Sequence, residues 1–265
     1  MAYKLLAIDL DGTLLTSKKT LSPGNIEALN KAMDAGYRVI LASGRPYAGI
    51  VNCVLPFETH DYIISSAGAQ VHGPDGKLVH KISINPQRAY EVMNWCRDRG
   101  VHCQSYSDEG FHYIQDGPFA RHYEKYNHMK GYEEPDLYKQ DDIDTPKLLI
   151  IDTPEKVLEV KEEVRKAFPD LVIVNSQAEY VEVLDPAVSK AAALEWLAGE
   201  LHATPDEIMA FGDNEVDLSM MEYAGFSVAV SNGESPVKAI ADYITDSNDD
   251  DGVAKAIYQL LLKES

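Results

Sequence analysis

The chain has 265 residues, 45% of them hydrophobic, which suits one large domain or two smaller ones of roughly 150 residues each, with a proper core. Its 43 acidic and 24 basic residues leave a net charge of −19, which argues against a nucleic-acid partner, because binding a phosphate backbone needs a basic footprint. The same balance means that an anionic substrate needs a local cation (a metal, Lys or Arg) to overcome the overall field.

The first apolar run, "YKLLAI", comes within a few residues of Met1 and leaves no room for a signal peptide. It reads as a buried strand. "SPGNIEALNKAMDAG" follows as a helix with Ser22 at the N-cap, Pro23 in the first turn and Gly36 ending it. "YRVILA" is a second strand, "SGRPYAG" a Gly/Pro-punctuated segment and "DYIIS" a third strand. Alternation of near-continuous apolar strands with helices predicts a parallel sheet covered on both faces. From residue 82 to 187 strands outnumber crossovers: "HKISI", "HCQSY", "FHYIQ", "KLLIID", "LVIVNS" and "YVEVLD", with helices over 86–99 and 154–167. The first grammar then returns as "SKAAALEWLAGEL", "EIMAFG", "VDLSMMEYAG", "FSVAV" and "GVAKAIYQLLLK".

The expectation is an α/β fold. A doubly wound core of residues 1–81 and 188–265 carries an inserted α+β domain of residues 82–187. The charge run "DSNDDD" (246–251) reads as a solvated loop placing Asp beside the last helix's start. No stretch approaches the roughly 20 apolar residues that span a membrane. Cys53, Cys96 and Cys103 are an odd set without metal-ligand spacing, so reduced thiols in a soluble cytoplasmic protein are expected.

Three core strands end in a chemically loaded residue: "LLAI" runs into Asp9, "VILA" into Ser43 and "IMAF" into Gly212-Asp213. In an open parallel sheet such strand ends share one edge, where ligands bind. Asp9, Asp11, Ser43 and Asp213 should therefore converge, with Asp217 one turn past Asp213 facing the same way. Each one singly reads equally well as a cap or turn residue. Together, four carboxylates need a cation, and an oxygen-rich set suits Mg²⁺. The eight histidines have no ligand spacing and read as surface or packing residues. Lys190 opens a helix capped by Ser189, against the positive end of the macrodipole. It reads either as a solvated lysine or as part of an anion site at that helix start.

The set Asp9-x-Asp11-Gly12-Thr13, Ser43-Gly44-Arg45, Lys190 and Gly212-Asp213-x-x-x-Asp217 resembles the four motifs of the haloacid dehalogenase-like superfamily. The "DLDGTLL" opening, the "SGRPY" segment and the insertion between the second and third motifs are similar to its Cof-type sugar-phosphatase branch, over the whole chain. The resemblance implies a Rossmann-like core, a cap that excludes water and contacts the leaving group, and a Mg²⁺-dependent phosphatase of small phosphorylated metabolites, sugar phosphates first. It implies Asp9 as nucleophile, forming an aspartyl-phosphate, and Asp11 as general acid and base. The i, i+2 spacing of these two predicts one face of an extended segment. Mg²⁺ is implied between the Asp9 carboxylate, the Asp11 backbone carbonyl and Asp213, with Asp217 supporting. Ser43, the Leu10 and Gly44 N–H groups and Lys190 are the implied phosphate ligands, and Arg45 serves at the phosphate or at the seam with the cap. "GPFARHYEKYNHMKG" is a candidate specificity region or a helix packing its own aromatics.

Three positions depart from the branch: Ala67 for the usual Asn of Asn-Gly-Ala, Ala191 for the Gly of Lys-Gly, and Val216 for the Asn of Asn-Asp. They thin the polar groups around the phosphate and keep open a phosphometabolite-binding protein with weakened catalysis. A phosphomutase on the same chemistry is a further alternative. Oligomeric state is not legible.

Overall fold

The computed structural model describes residues 3–107, 109–127 and 129–262. The chain forms two compact units, Met1–His80 with Ser189–Ser265, and Lys81–Val188. The first unit starts with β1 (Leu5–Ile8), α1 (Pro23–Asp34), β2 (Arg38–Ala42), α2 (Tyr47–Val54), β3 (Ile63–Ser65), β4 (Gln70–His72) and β5 (Leu78–Lys81). The second holds α3 (Pro86–Asp98), β6 (His102–Tyr106), β7 (Phe111–Tyr113), α4 (Pro118–Asn127), β8 (Gly131–Glu133), β9 (Leu148–Ile151), α5 (Pro154–Ala167), β10 (Val172–Gln177) and β11 (Tyr180–Leu184). The chain then completes the first unit with α6 (Lys190–Glu200), β12 (Ile208–Gly212), α7 (Leu218–Tyr223), β13 (Phe226–Val230), α8 (Ser235–Ile240), β14 (Tyr243–Thr245) and α9 (Gly252–Leu260).

The first unit is an eight-stranded sheet in the order β14-β13-β12-β1-β2-β3-β4-β5. Its strands from β14 to β3 run parallel, and β4 returns antiparallel. Alternate residues of β1 feed opposite cores. Leu6 and Ile8 pack with α1 and α9, and Leu5 and Ala7 with α6 and α7. Burial on both faces is why these strands read as unbroken apolar runs rather than alternating ones. α1 starts as expected, with Ser22 Oγ accepting the Asn25 N–H and Pro23 in the first turn. The short elements β4, α8 and β14 carry too few residues for periodicity to mark them, and "HKISI", expected as a strand of the insertion, gives only its first two residues to β5, the edge strand of the first sheet.

The second unit is a six-stranded sheet, β10-β11-β9-β6-β7-β8, antiparallel except for the β7–β8 pair. α3 and α5 cover one face through Met93, Cys96, Val157 and Val164. On the other face, α4 buries Ala120 and Tyr123 against Tyr106, Phe111 and Tyr180. The stretch 117–131 thus contains a helix that packs its own aromatics, with the Tyr106 hydroxyl donating to that of Tyr123 at 2.7 Å. His128 of that stretch and Lys263 of the last predicted helix lie outside the described residues. No helix among the described residues is long and apolar enough to cross a membrane.

Candidate active site

β1 lies between β12 and β2, with Ile8 in register with Phe211 on one side and Leu41 on the other. Asp9, Ser43 and Asp213 therefore leave the sheet at one edge. The Asp9 N–H donates to the Phe211 carbonyl at 3.1 Å, which fixes where β1 ends. The chain then coils on itself. Leu14 and Leu15 donate their N–H groups to the Leu10 carbonyl, and all three leucines are fully buried. Burying each such side chain contributes about 1.5–3 kcal/mol, which anchors the polar turn between them. Gly12 has φ +93°, and a Cβ there would collide with the Asp213 carboxylate. Only glycine suits both conditions.

Lys190 is 1% exposed, which rules out the solvated reading. Ser189 Oγ accepts the Ala192 N–H at 3.0 Å, and Ala193, Leu194 and Leu197 bury the face of α6 that holds the helix in place. The Lys190 ammonium lies 2.5 Å from Asp9 Oδ1 and 2.6 Å from Asp217 Oδ1. These two carboxylates offset its conflict with the macrodipole. The other oxygen of Asp217 accepts the N–H groups of Asp213 and Asn214 at 3.0 and 3.2 Å. Both its oxygens are thus engaged, and Asp217 shapes the turn that presents Asp213. Asp213 Oδ1 accepts from the Thr13 hydroxyl at 2.9 Å.

One oxygen from each of Asp9, Asp213 and Asp217 falls within 4.8 Å of the others. Asp9 Oδ2 is buried and has no hydrogen-bond donor among the described residues. Burial first, then the charge of Asp217, push the Asp9 carboxyl well above the usual range, although Lys190 pulls the other way. Burial and Asp217 likewise raise Asp213 to about 6. Lys190 shifts upward because the two carboxylates outweigh the effect of its burial. With all three acids ionised, the single ammonium leaves two negative charges uncompensated. An orphaned carboxylate oxygen, hard oxygen donors and that charge deficit fit a divalent cation. Among the described residues no histidine or cysteine joins this cluster.

β1 stops at Ile8, Asp9 follows it directly, Asp11 forms an isolated bridge with Leu15, and the two acids engage different cations. Arg45 grips Asp11 with two hydrogen bonds, from Nε at 2.5 Å and Nη2 at 2.8 Å, and Lys19 Nζ adds a third contact at 2.8 Å. Burial alone would raise the Asp11 carboxyl. The hydrogen bonds and charge of Arg45, with those of Lys19, outweigh it and hold the group at about 2. Ser43 is 1% exposed, and its Oγ accepts the Arg45 N–H at 3.2 Å. Gly44 lies between these two, and the Leu10 N–H has no backbone acceptor among the described residues.

The Ser43–Arg45 segment is held from behind by a strained loop. Ala67 N–H donates to the Ser43 carbonyl at 3.0 Å and Ser66 N–H to the Arg45 carbonyl at 2.8 Å. Ser66, Ala67 and Gly68 have φ of +53°, +59° and +103° in succession. Gly68 also passes so close to the Ser189 carbonyl that a Cβ would overlap it, tying the loop to the start of α6. Val216 donates its N–H to Asn214 Oδ1 at 3.0 Å, while the Asn214 amide nitrogen lies 3.5 Å from Asp213 Oδ1.

Three supporting residues were not singled out by the sequence reading: Thr13, Lys19 and Asn232, whose amide donates to the Gly12 carbonyl at 2.8 Å. Thr13 could have been found, being part of the first motif. Asn232 stands in an Asn-Gly turn after a core strand, a weaker signal. Lys19 carries none.

The sequence pattern of the family described as haloacid dehalogenase-like hydrolase matches residues 6–257. Among curated relatives, a phosphatase of Bacillus subtilis strain 168, YwpJ, is 31% identical over 284 aligned residues, covering 97% of this chain and all of that protein. YcsE of the same organism, a 5-amino-6-(5-phospho-D-ribitylamino)uracil phosphatase, is 32% identical over 260 residues, covering 98% and 96%. Among solved structures, a haloacid dehalogenase-like hydrolase from Bacteroides thetaiotaomicron superposes with a TM-score of 0.87 at 30% identity, covering 98% of this chain and all of that one.

Proposed function

The chain belongs to the haloacid dehalogenase-like hydrolases, and from that premise we propose that it is a Mg²⁺-dependent phosphatase of small phosphorylated metabolites, sugar and sugar-alcohol phosphates first. The observation that carries the reading is Asp9: one oxygen is held by Lys190 and the other is buried with no donor among the described residues, at the edge where three strands end. The phosphoribityl ester in the name of YcsE supports a polyhydroxylated leaving group. Residues 1–81 with 188–265 are the catalytic core in this reading, and residues 82–187 are the cap.

Asp9 attacks phosphorus, the bond to the leaving oxygen breaks, and an aspartyl-phosphate forms. Asp11 gives a proton to the leaving oxygen, then takes one from the water that releases inorganic phosphate. Ser43, the Leu10 and Gly44 N–H groups and Lys190 hold the phosphoryl oxygens as charge shifts between them. Asp9, Asp213 and the Asp11 carbonyl would hold Mg²⁺, with Asp217 supporting, and when bound it neutralises the charge that the acids and the phosphate bring together. Lys190 keeps the Asp9 side chain oriented through both steps.

A panel of phosphate esters assayed with Mg²⁺ and with EDTA tests this. Phosphate release that depends on the cation is expected. Release indifferent to chelation, or none from any ester, overturns it. Thermal stabilisation by the same esters without turnover would favour the phosphometabolite-binding alternative motivated by Ala67, Ala191 and Val216.

A further inference from the structure

The two sides of the site are charged differently. Around Asp9, three carboxylates face one ammonium. Around Asp11, two cations face one carboxylate, since Arg45 and Lys19 both contact it. Cys53 of α2 lies under the influence of the same three groups, and burial raises its thiol to about 11, so it adds no charge at neutral pH. Arg45 and Lys19 against Asp11 leave one positive charge over among these contacts, in a chain whose total is −19.

Lys19 reaches Asp11 from a costly backbone position. Its φ is +58°, a left-handed conformation that favours glycine or asparagine. A tight turn maintains it: Lys19 N–H donates to the Thr16 carbonyl at 2.8 Å, and Thr16 N–H to the Thr20 carbonyl at 3.0 Å. The Thr16 and Thr20 hydroxyls bond each other at 2.9 Å, and Ser17 N–H donates to Asp249 at 2.8 Å. The Asp11 contact alone does not account for Lys19, because Arg45 already takes both carboxylate oxygens. With its side chain 34% exposed, Lys19 can meet a solute as well as Asp11.

We propose that Lys19 is a specificity residue that favours phosphate esters whose leaving group carries a second anion, a carboxylate or another phosphate, near the ester oxygen. This rests on the phosphatase reading above, in which Asp11 serves the leaving oxygen. The cations that touch Asp11 then flank the leaving group. A second anion on that group, as in a sugar-acid phosphate or a sugar bisphosphate, offsets the surplus positive charge, and a sugar phosphate without one is the slower substrate.

The test compares matched esters with the full chain and Mg²⁺: glycerol 3-phosphate against 3-phosphoglycerate for a carboxylate, and fructose 1-phosphate against fructose 1,6-bisphosphate for a second phosphate. p-Nitrophenyl phosphate checks turnover itself. The parent should favour the anionic member of at least one pair by about fivefold in kcat/KM, the scale of a partly exposed ion pair. The favoured pair then names the anion. The ratio should fall toward one in Lys19→Met, persist in Lys19→Arg and shrink with added KCl. A parent that turns over p-nitrophenyl phosphate but shows no preference in either pair overturns this inference alone. So does a Lys19→Met variant that keeps the ratio. Absence of turnover with every ester overturns the phosphatase reading and this inference with it.

Discussion

The ammonium of Lys190 lies 2.5 Å from Asp9 Oδ1, joining residues 181 apart in the chain, while the second oxygen of Asp9 is buried with no donor among the described residues. A carboxylate half satisfied in this way is held in orientation but not in charge. In the proposed reading its remaining lone pairs attack phosphorus and meet the cation, and the predictions on cations and pH follow from them.

Asp9→Asn should abolish phosphate release while leaving the fold intact. Because burial and Asp217 raise the Asp9 carboxyl well above its usual range, the native state resists ionising it. At neutral pH without a divalent cation the charge therefore destabilises the fold. The amide removes it, so the variant's melting temperature in EDTA should equal or exceed the parent's. Mg²⁺ should stabilise the variant less. Near-normal ester hydrolysis would refute the nucleophile role.

Stabilisation by Mg²⁺ should grow as pH rises through about 6. The folded value of Asp213, about 6, lies above its ordinary 3.8. Between those values the native state binds more protons than the unfolded chain, so metal-free stability falls as pH rises, by at most about 1.4 kcal/mol per unit. A cation must displace the proton. Thermal melts at pH 5, 6 and 7.5, with and without Mg²⁺, should show a small shift at pH 5 and a larger one at 7.5. A pH-independent shift would remove Asp213 from the metal set.

Arg45→Met should cost up to about 2 kcal/mol at neutral pH, the linkage equivalent of the whole shift of Asp11 from its ordinary value to about 2, of which Lys19 keeps a share. The sign is that of a depressed acid: the stability is present above pH 3.8 and lost as pH falls toward 2. Denaturant melts from pH 2 to 7 should show a flatter acid limb in the variant. In the same arrangement Asp11 is ionised and must leave Arg45 to carry a proton. Asp11→Asn should therefore reduce turnover least for aryl phosphates, whose leaving groups need no proton. Equal losses for alkyl and aryl esters would assign Asp11 a structural or metal role.

Ala67→Gly should stabilise the chain by about 0.5–1 kcal/mol. Left-handed backbone costs alanine roughly 1–2 kcal/mol, and the greater freedom of glycine when unfolded returns part of the gain. The loop keeps its bonds to Ser43 and Arg45, which are made by backbone. A lowered melting temperature would mean that the Ala67 side chain packs more than its strain costs.

Val216→Asn should raise kcat/KM for good esters by roughly tenfold or more, the worth of one hydrogen bond to a charged group, without altering the Mg²⁺ requirement. Asn214 does not cover this role with its carbonyl, which is taken by the Val216 N–H. If the kinetics stay unchanged, the Asn214 amide or water supplies the contact, and the reading of weakened catalysis loses its main support.

Much of this was legible because the signals are local in sequence. The buried runs around Leu5–Ile8, Arg38–Ala42 and Ile208–Gly212 mark parallel strands, and the acids and serine that follow them fall at one sheet edge by topology alone. Ser22 and Ser189 announced their helices by cap chemistry that needs no partner outside the helix. The four motifs named the family, which the comparisons show. The three-residue strands β4 and β14 were not legible, because they form through pairing partners rather than through a pattern of their own.

What the sequence determined by itself, then, is the order of elements and the set of acids at the strand ends, since burial periodicity and cap chemistry are written residue by residue. Tertiary structure alone decided which cation each acid meets. Asp9 pairs with Lys190 and Asp11 with Arg45 and Lys19, although only one residue separates the two acids. The physical reason is distance: ion pairing depends on separations of a few ångströms, and those are set when Gly12, Gly68 and the 16–20 turn bring remote backbone into contact.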